Sequence, residues 1–167
     1  MKRILCAAVA GALLFSGAVS AEELAVIGNQ YYPADHVTKD TLKEMYFGKK
    51  TMEAAIRIKP LDQKEPVIRK KFLEEVLGMP VDEYNSYWIK KVFQDGTVPP
   101  VVKQSSQEVI EEILSANIIS PVLKKSSKDV IAYVQKNAGA VGYVWEKEAV
   151  GVPGLKVLLV VEVGDRK

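Results

Sequence analysis

Cysteine is nearly absent from this sequence: the 167 residues include only Cys6, which lies in an apolar run near the N-terminus. A disulfide framework and a cysteine-ligated metal site are therefore both excluded. His36 is the only histidine, and with no second ligand to share a metal we expect it to be an exposed turn residue. A Gly-x-Ser-x-Gly nucleophile motif is also missing. We predict no metal, no cofactor and no catalytic activity.

The first residues have the features of a secretory signal peptide. Two basic residues precede an apolar run, Ile4–Val19, and Val-Ser-Ala at 19–21 supplies the small residues that a signal peptidase requires. The run has 16 residues, fewer than the roughly 20 that a membrane-spanning helix needs. We predict a signal peptide at 1–21 and export to the periplasm, with an uncleaved membrane anchor as the alternative.

The charge of the mature chain, residues 22–167, gives no sign of a nucleic-acid partner. Removal of the signal peptide takes away two of the 23 basic residues and none of the 21 acidic residues, so equal numbers remain. The 146 residues that are left can bury a core without disulfides and correspond to one domain. We predict a single domain that does not bind nucleic acid.

Strand and helix patterns alternate along the mature chain. Short apolar runs predict strands at 23–29, 56–61, 140–144 and 155–163. Amphipathic patterns bounded by capping residues predict helices from Thr38 to Gly48, from Pro66 to Gly78 and from Val81 to Phe93. Within the third helix, the spacing of Tyr84, Tyr87 and Trp88 predicts a buried stripe. This alternation is typical of an α/β fold with a mixed, mostly parallel sheet and helices on both faces.

The last third of the chain contains a repeat. VVKQSSQEVIEEI at 101–113 and VLKKSSKDVIAYV at 122–134 agree at six of 13 positions, with an offset of 21 residues. Each copy predicts a strand, a Ser-Ser turn and a helix, and both tandem duplication and chance similarity explain the match. In each copy an acidic residue follows the first serine by three positions, as Glu108 follows Ser105. This spacing indicates helix caps, with anion binding as a secondary role.

Six segments carry motifs whose order is informative: LKEMYFGK at 42–49, IKPLDQ at 58–63, RKKF at 69–72, YW at 87–88, FQDGTVP at 93–99 and GAVGYV at 139–144. In order and spacing they resemble the periplasmic phosphate-binding proteins of phosphate ABC transporters. The resemblance covers residues 25–160, nearly the whole mature chain. It implies a type 2 periplasmic-binding-protein-like lobe and, because the chain is short, a single-lobe member.

The resemblance implies a small oxyanion such as phosphate as ligand, for ABC-type transport. Expected partners are the transporter membrane subunits or another periplasmic protein, and a homodimer would supply the missing wall of the cleft. Where the family places Ser-Gly-Thr at a helix N-terminus, this chain has Pro66, Val67 and Ile68, and the family's arginine position falls near Asp62. The remaining candidate ligand-binding residues are Gln63, Lys64, Arg69, Ser105, Ser106, Ser126 and Ser127.

Two alternatives to a ligand site remain open. The same lobe would also serve as a ligand-free scaffold that docks a partner protein in the periplasm. The basic residues around the helix that begins at Pro66 also have the pattern of a solvated helix face, which needs no ligand. These residues are Lys64, Arg69, Lys70 and Lys71.

Export is the first testable prediction. Cells that express the full sequence should contain a periplasmic protein that begins at Glu22, because the small residues before it form the cleavage site. Mass spectrometry of the N-terminal peptide after cell fractionation measures this directly. An intact form that begins at Met1 and stays in the cytosol would contradict the prediction.

Overall fold

The computed structural model describes residues 22–94 and 121–164. The strands are β1 (Glu22–Asn29), β2 (Met52–Glu53), β3 (Ile56–Arg57), β4 (Lys59–Gln63), β5 (Val122–Lys124), β6 (Ala140–Trp145) and β7 (Leu155–Val163). The helices are α1 (Lys39–Tyr46), α2 (Pro66–Phe72), α3 (Val81–Gln94), α4 (Ser127–Lys136) and α5 (Glu146–Ala149), and a π-helical segment, Leu73–Leu77, continues α2.

One sheet organises the described part of the chain, with the strand order β5–β4–β6–β1–β7. Strand β4 is parallel to both β5 and β6, whereas β1 is antiparallel to β6 and to β7. Strand β7 therefore runs in the same direction as β6, and β1 is the one reversed strand of this sheet. The prediction of a mixed, mostly parallel sheet is confirmed.

Helices cover both faces of the sheet, as β1 shows most clearly. Leu24 and Val26 point into a core that is shared with α1, α2, the π-helical segment and α3. Ala25 and Ile27 alternate with them and point to the opposite face, where α4 and α5 supply the packing. All four side chains are buried, because a central strand with helices on both sides has no exposed face. The predicted α/β architecture is confirmed.

The helix ends follow the capping residues of the sequence. The Thr38 hydroxyl accepts a hydrogen bond from the Thr41 amide at 3.1 Å and caps α1. Gly78 adopts a left-handed conformation with φ of 69° directly after the π-helical segment. Glycine enters this region without the steric penalty that other residues have. The helix predicted from Pro66 to Gly78 is confirmed, with a π-helical final turn.

The glycines of the GAVGYV segment allow close packing against β6. A Cβ atom at Gly142 would lie 2.5 Å from Val130 Cγ1, on α4. One at Gly139 would collide with the carbonyl oxygen of Arg57, in the hairpin that β2 and β3 form. Both glycines therefore have a packing role, which brings a helix and a hairpin against the same strand.

The structure divides the strand predicted at 56–61. Its first part, β3, turns back to pair with β2, and its second part, β4, joins the main sheet and extends to Gln63. The second copy of the repeat forms β5, a Ser126 cap and α4, as predicted. The first copy and the signal peptide lie outside the described residues. Within the described ranges, none of the helices has the length and apolar character to cross a membrane.

Trp88 anchors α3 in the core and provides a test of the packing. The residue is 2% exposed, and its ring lies edge-on to Tyr87 with the centroids 5.5 Å apart. Trp88→Ala should lower the free energy of unfolding by roughly 3–5 kcal/mol, because it removes a large buried ring. Urea unfolding followed by circular dichroism measures this loss.

Trp145→Ala is the matched control, because Trp145 is only partly buried. Its truncation should cost clearly less than that of Trp88. Equal losses in the two variants, or a loss below about 1 kcal/mol for Trp88→Ala, would mean that α3 does not pack as described.

Candidate functional site

Two helices begin at the carboxyl edge of the strands β4 and β5. The strands are adjacent and parallel, Gln63 pairs with Lys124, and the Lys64 amide donates to the Lys124 carbonyl at 2.8 Å. Helix α2 begins at Pro66, and α4 begins at Ser127. Ligands of open α/β sheets bind outside the carboxyl ends of the strands, so this edge is the candidate site.

Gln63 and Ser127 come together beneath this edge. The Gln63 side chain is fully buried, and its amide nitrogen donates to the Tyr143 carbonyl at 2.8 Å. The Ser127 hydroxyl donates to the Gln63 amide oxygen at 3.4 Å. Both side chains thus hydrogen-bond within the protein and tie α4 to β4. Sequence reasoning named both residues as candidates but did not predict this contact, because they are 64 positions apart.

Ser126 caps α4, as the sequence predicts. Its hydroxyl oxygen accepts the Asp129 amide at 3.4 Å and lies 3.2 Å from the Asp129 carboxylate. The carboxylate also compensates the positive end of the helix dipole. The capping interpretation of Ser126 is confirmed. Its counterparts Ser105 and Ser106 lie outside the described residues.

Lysines give the outer part of this edge a positive charge. Lys64 is exposed directly after β4, and Lys124 and Lys125 follow one another at the end of β5. The Lys124 ammonium lies 3.7 Å from the centroid of the Tyr133 ring, and burial lowers its pKa. A shallow depression of about 410 Å³ opens beside Lys124 and Lys125, with Asp129 in its lining. Lys124 and Lys125 were not among the candidates predicted from the sequence, although the two residues directly precede the capping serine.

Arg69 lies behind this edge in a buried ion pair with Asp62. Its Nε and Nη2 atoms are each 2.9 Å from Asp62 Oδ2, and Nη2 also donates to Asn85 Oδ1 at 2.9 Å. The side chains of Arg69 and Asp62 are 13% and 5% exposed. The interpretation of Arg69 as part of a solvated helix face is therefore wrong. Its positive charge is compensated within the chain, which the sequence did not predict.

The second oxygen of the Asp62 carboxylate is also occupied. Oδ1 accepts the Tyr143 hydroxyl at 2.5 Å and the Gln63 amide at 2.8 Å. Burial, reinforced by the negative charge of Asp62, raises the pKa of Tyr143 well above 10. The hydroxyl therefore keeps its proton and remains a donor. Burial acts to lower the pKa of Arg69, but the Asp62 carboxylate reverses this, and the net shift is upward.

Aromatic rings surround the buried ion pair. Tyr143 stacks on Phe72 with a centroid distance of 3.8 Å, and the Arg69 guanidinium lies 6.0 Å from the centroid of the Tyr84 ring. The Tyr46 hydroxyl donates to the Leu61 carbonyl at 2.7 Å. These contacts fix the positions of the groups that hold Asp62. Within residues 22–94 and 121–164, no cluster of His, Cys, Asp or Glu could hold a metal ion.

The start of α2 offers little to a ligand. Its N-cap residue, Glu65, makes no side-chain capping bond, and Pro66 has no amide hydrogen to donate. Val67 is exposed and has no hydroxyl group. The charged and hydroxyl groups of the candidate site therefore come from the end of β4 and from the turn between β5 and α4.

Comparison with known proteins shows a likeness in fold without a match in sequence. No family model matches the chain, and no curated protein does. The structure is similar to a candidate phosphate ABC transporter substrate-binding protein with bound phosphate from Clostridium perfringens, with a TM-score of 0.54 and 16% identity over 82% of this chain and 44% of that one.

Two further solved structures are similar at lower scores. One is an ABC-type phosphate transport receptor from Vibrio cholerae, with a TM-score of 0.46 and 15% identity over 82% of this chain and 45% of that one. The other is PstS from Borrelia burgdorferi, with a TM-score of 0.45 and 13% identity over 82% of this chain and 46% of that one. The chain spans less than half the length of each structure. The Clostridium structure shows that this chain shares its fold with part of that protein.

Proposed function

We propose that this protein is an exported, periplasmic solute-binding-protein-like lobe that holds a small oxyanion, phosphate or a related one, in ABC-type transport. The proposal rests on the carboxyl edge of β4 and β5. The N-terminus of α4, three lysines and a serine meet there, and phosphate is named for the solved structure of similar fold. Helix N-termini and lysines both favour a negatively charged ligand.

The oxyanion would bind at the surface of this edge. Lys64, Lys124 and Lys125 supply charge there, whereas Arg69 is held in the interior by Asp62. The Ser126 hydroxyl already caps α4, and Asp129 opposes a second negative charge. The site thus has long-range attraction but few fixed donors, and we expect weak binding.

A second candidate is a ligand-free scaffold that docks a partner protein in the periplasm. The observation that favours it is the complete set of internal contacts at the inner part of the site. Asp62, Gln63 and Arg69 hydrogen-bond to other groups of the chain. Because these side chains are hydrogen-bonded without a ligand, the lobe would be stable on its own and would serve only to dock a partner protein.

Phosphate affinity separates the two candidates. Each missing charge-assisted hydrogen bond costs about 1.5–3 kcal/mol, so the monomer should bind phosphate no more tightly than about 0.1 mM. Lys64→Gln should weaken binding by about two- to fivefold, since it removes one exposed charge from the site. Calorimetric titration of dilute protein at low salt, with phosphate, sulfate, phosphonate and molybdate, measures both.

Lys59→Gln is the matched control, because Lys59 lies at the amino end of the same strand and is also exposed. It should leave the affinity unchanged. If none of the four anions binds at 10 mM, the oxyanion proposal is excluded and the scaffold remains. That concentration is about 100 times the dissociation constant of 0.1 mM expected as the limit. Affinity that increases with protein concentration would indicate that a homodimer completes the site.

A further inference from the structure

The Asp62 carboxylate lies among hydrogen-bond donors from three different elements. Arg69, on α2, donates from Nε to Oδ2, with its Nη2 atom 2.9 Å from the same oxygen, and Tyr143, on β6, donates its hydroxyl to Oδ1. The third donor is the backbone amide of Gln63, on β4. Three donors, one of them in a guanidinium that also forms an ion pair, around two carboxylate oxygens form the arrangement that a protein offers to a bound anion.

Contacts that do not involve Asp62 hold these donors in place. The Arg69 guanidinium also donates to Asn85, on α3, and Tyr143 stacks on Phe72. The position of the Gln63 amide is set by the pairing of β4 with β5. Removal of the carboxylate would therefore leave a preformed, positively charged pocket of the size of one carboxylate group.

We propose that Asp62 is a ligand supplied by the chain itself, whose carboxylate fills an internal pocket for a small monoanion formed by Arg69, Tyr143 and the Gln63 amide. The carboxylate keeps external anions out of this pocket and joins β4, α2 and β6. The inner part of the lobe is thus complete without a solute. The inference does not depend on whether phosphate binds at the surface of the β4–β5 edge.

Formate rescue of an Asp62→Ala variant tests this inference. The substitution leaves the methyl group and removes the carboxylate, so formate has the size and charge of the missing group. With Arg69 left unpaired, the melting temperature should fall by about 10–20 °C. Sodium formate at 200 mM should raise it by at least about 3 °C above sodium chloride at the same ionic strength, with a saturable dependence on concentration.

Three controls separate a filled pocket from a general salt effect. The wild type and Asp62→Asn should show no difference between formate and chloride, because a side chain still occupies the pocket. The double variant Asp62→Ala with Arg69→Met should lose the rescue, because the guanidinium that binds formate is gone. Larger carboxylates such as butyrate should raise the melting temperature of Asp62→Ala less than formate does, because the pocket has the size of one carboxylate group.

The rescue remains measurable if Asp62→Ala is unfolded in chloride buffer. Circular dichroism during a formate titration should then show that native secondary structure returns, and the double variant should be folded without formate. The inference is overturned if formate does not affect Asp62→Ala up to 0.5 M, roughly 50 times a weak dissociation constant of 10 mM. The inference is also overturned if formate raises the melting temperature of the wild type as much as that of Asp62→Ala.

Discussion

Asp62 and Arg69 place opposite charges in a part of the molecule that is lined by tyrosine and phenylalanine rings. Neither charge would be stable there alone, because a buried charge without a partner is strongly destabilising. Each therefore compensates the charge of the other, and the pair links β4 to α2 and, through Asn85, to α3. The Tyr143 hydroxyl extends the same network to β6. The stability of the inner site depends on this one ion pair.

The ion pair divides the candidate site into two parts with different properties. The inner part has fixed donors and a guanidinium, but the chain's own carboxylate occupies them. The outer part has lysines and the N-terminus of α4, but the charges of Lys64 and Lys125 are exposed and screened by salt. Because the chain itself fills the inner part, weak anion binding at the outer part and a ligand-free scaffold are both compatible with one fold.

Local signals in the sequence were sufficient for most of the elements. The cap at Thr38, the proline at the start of α2 and the glycine after the π-helical segment fixed helix ends, because caps and turns depend on residues close in sequence. The prediction of one strand at 56–61 was wrong, since strand pairing and not local pattern decides the division into β3 and β4. The Asp62–Arg69 pair was not predicted either. From the sequence, Asp62 only stands near the family's arginine position, and Arg69 is either a ligand-binding candidate or part of a solvated helix face. The fold brings the two together because a strand end meets a helix face.

A double-mutant cycle between Asp62 and Arg69 measures the central interaction directly. The free energies of unfolding of the wild type, Asp62→Asn, Arg69→Met and the double variant give the coupling between the two side chains. We expect a coupling of about 2–3 kcal/mol, the upper end of the range for residues in direct contact. A coupling below about 0.5 kcal/mol, the value typical of independent sites, would show that Asp62 and Arg69 do not hold each other in the folded protein.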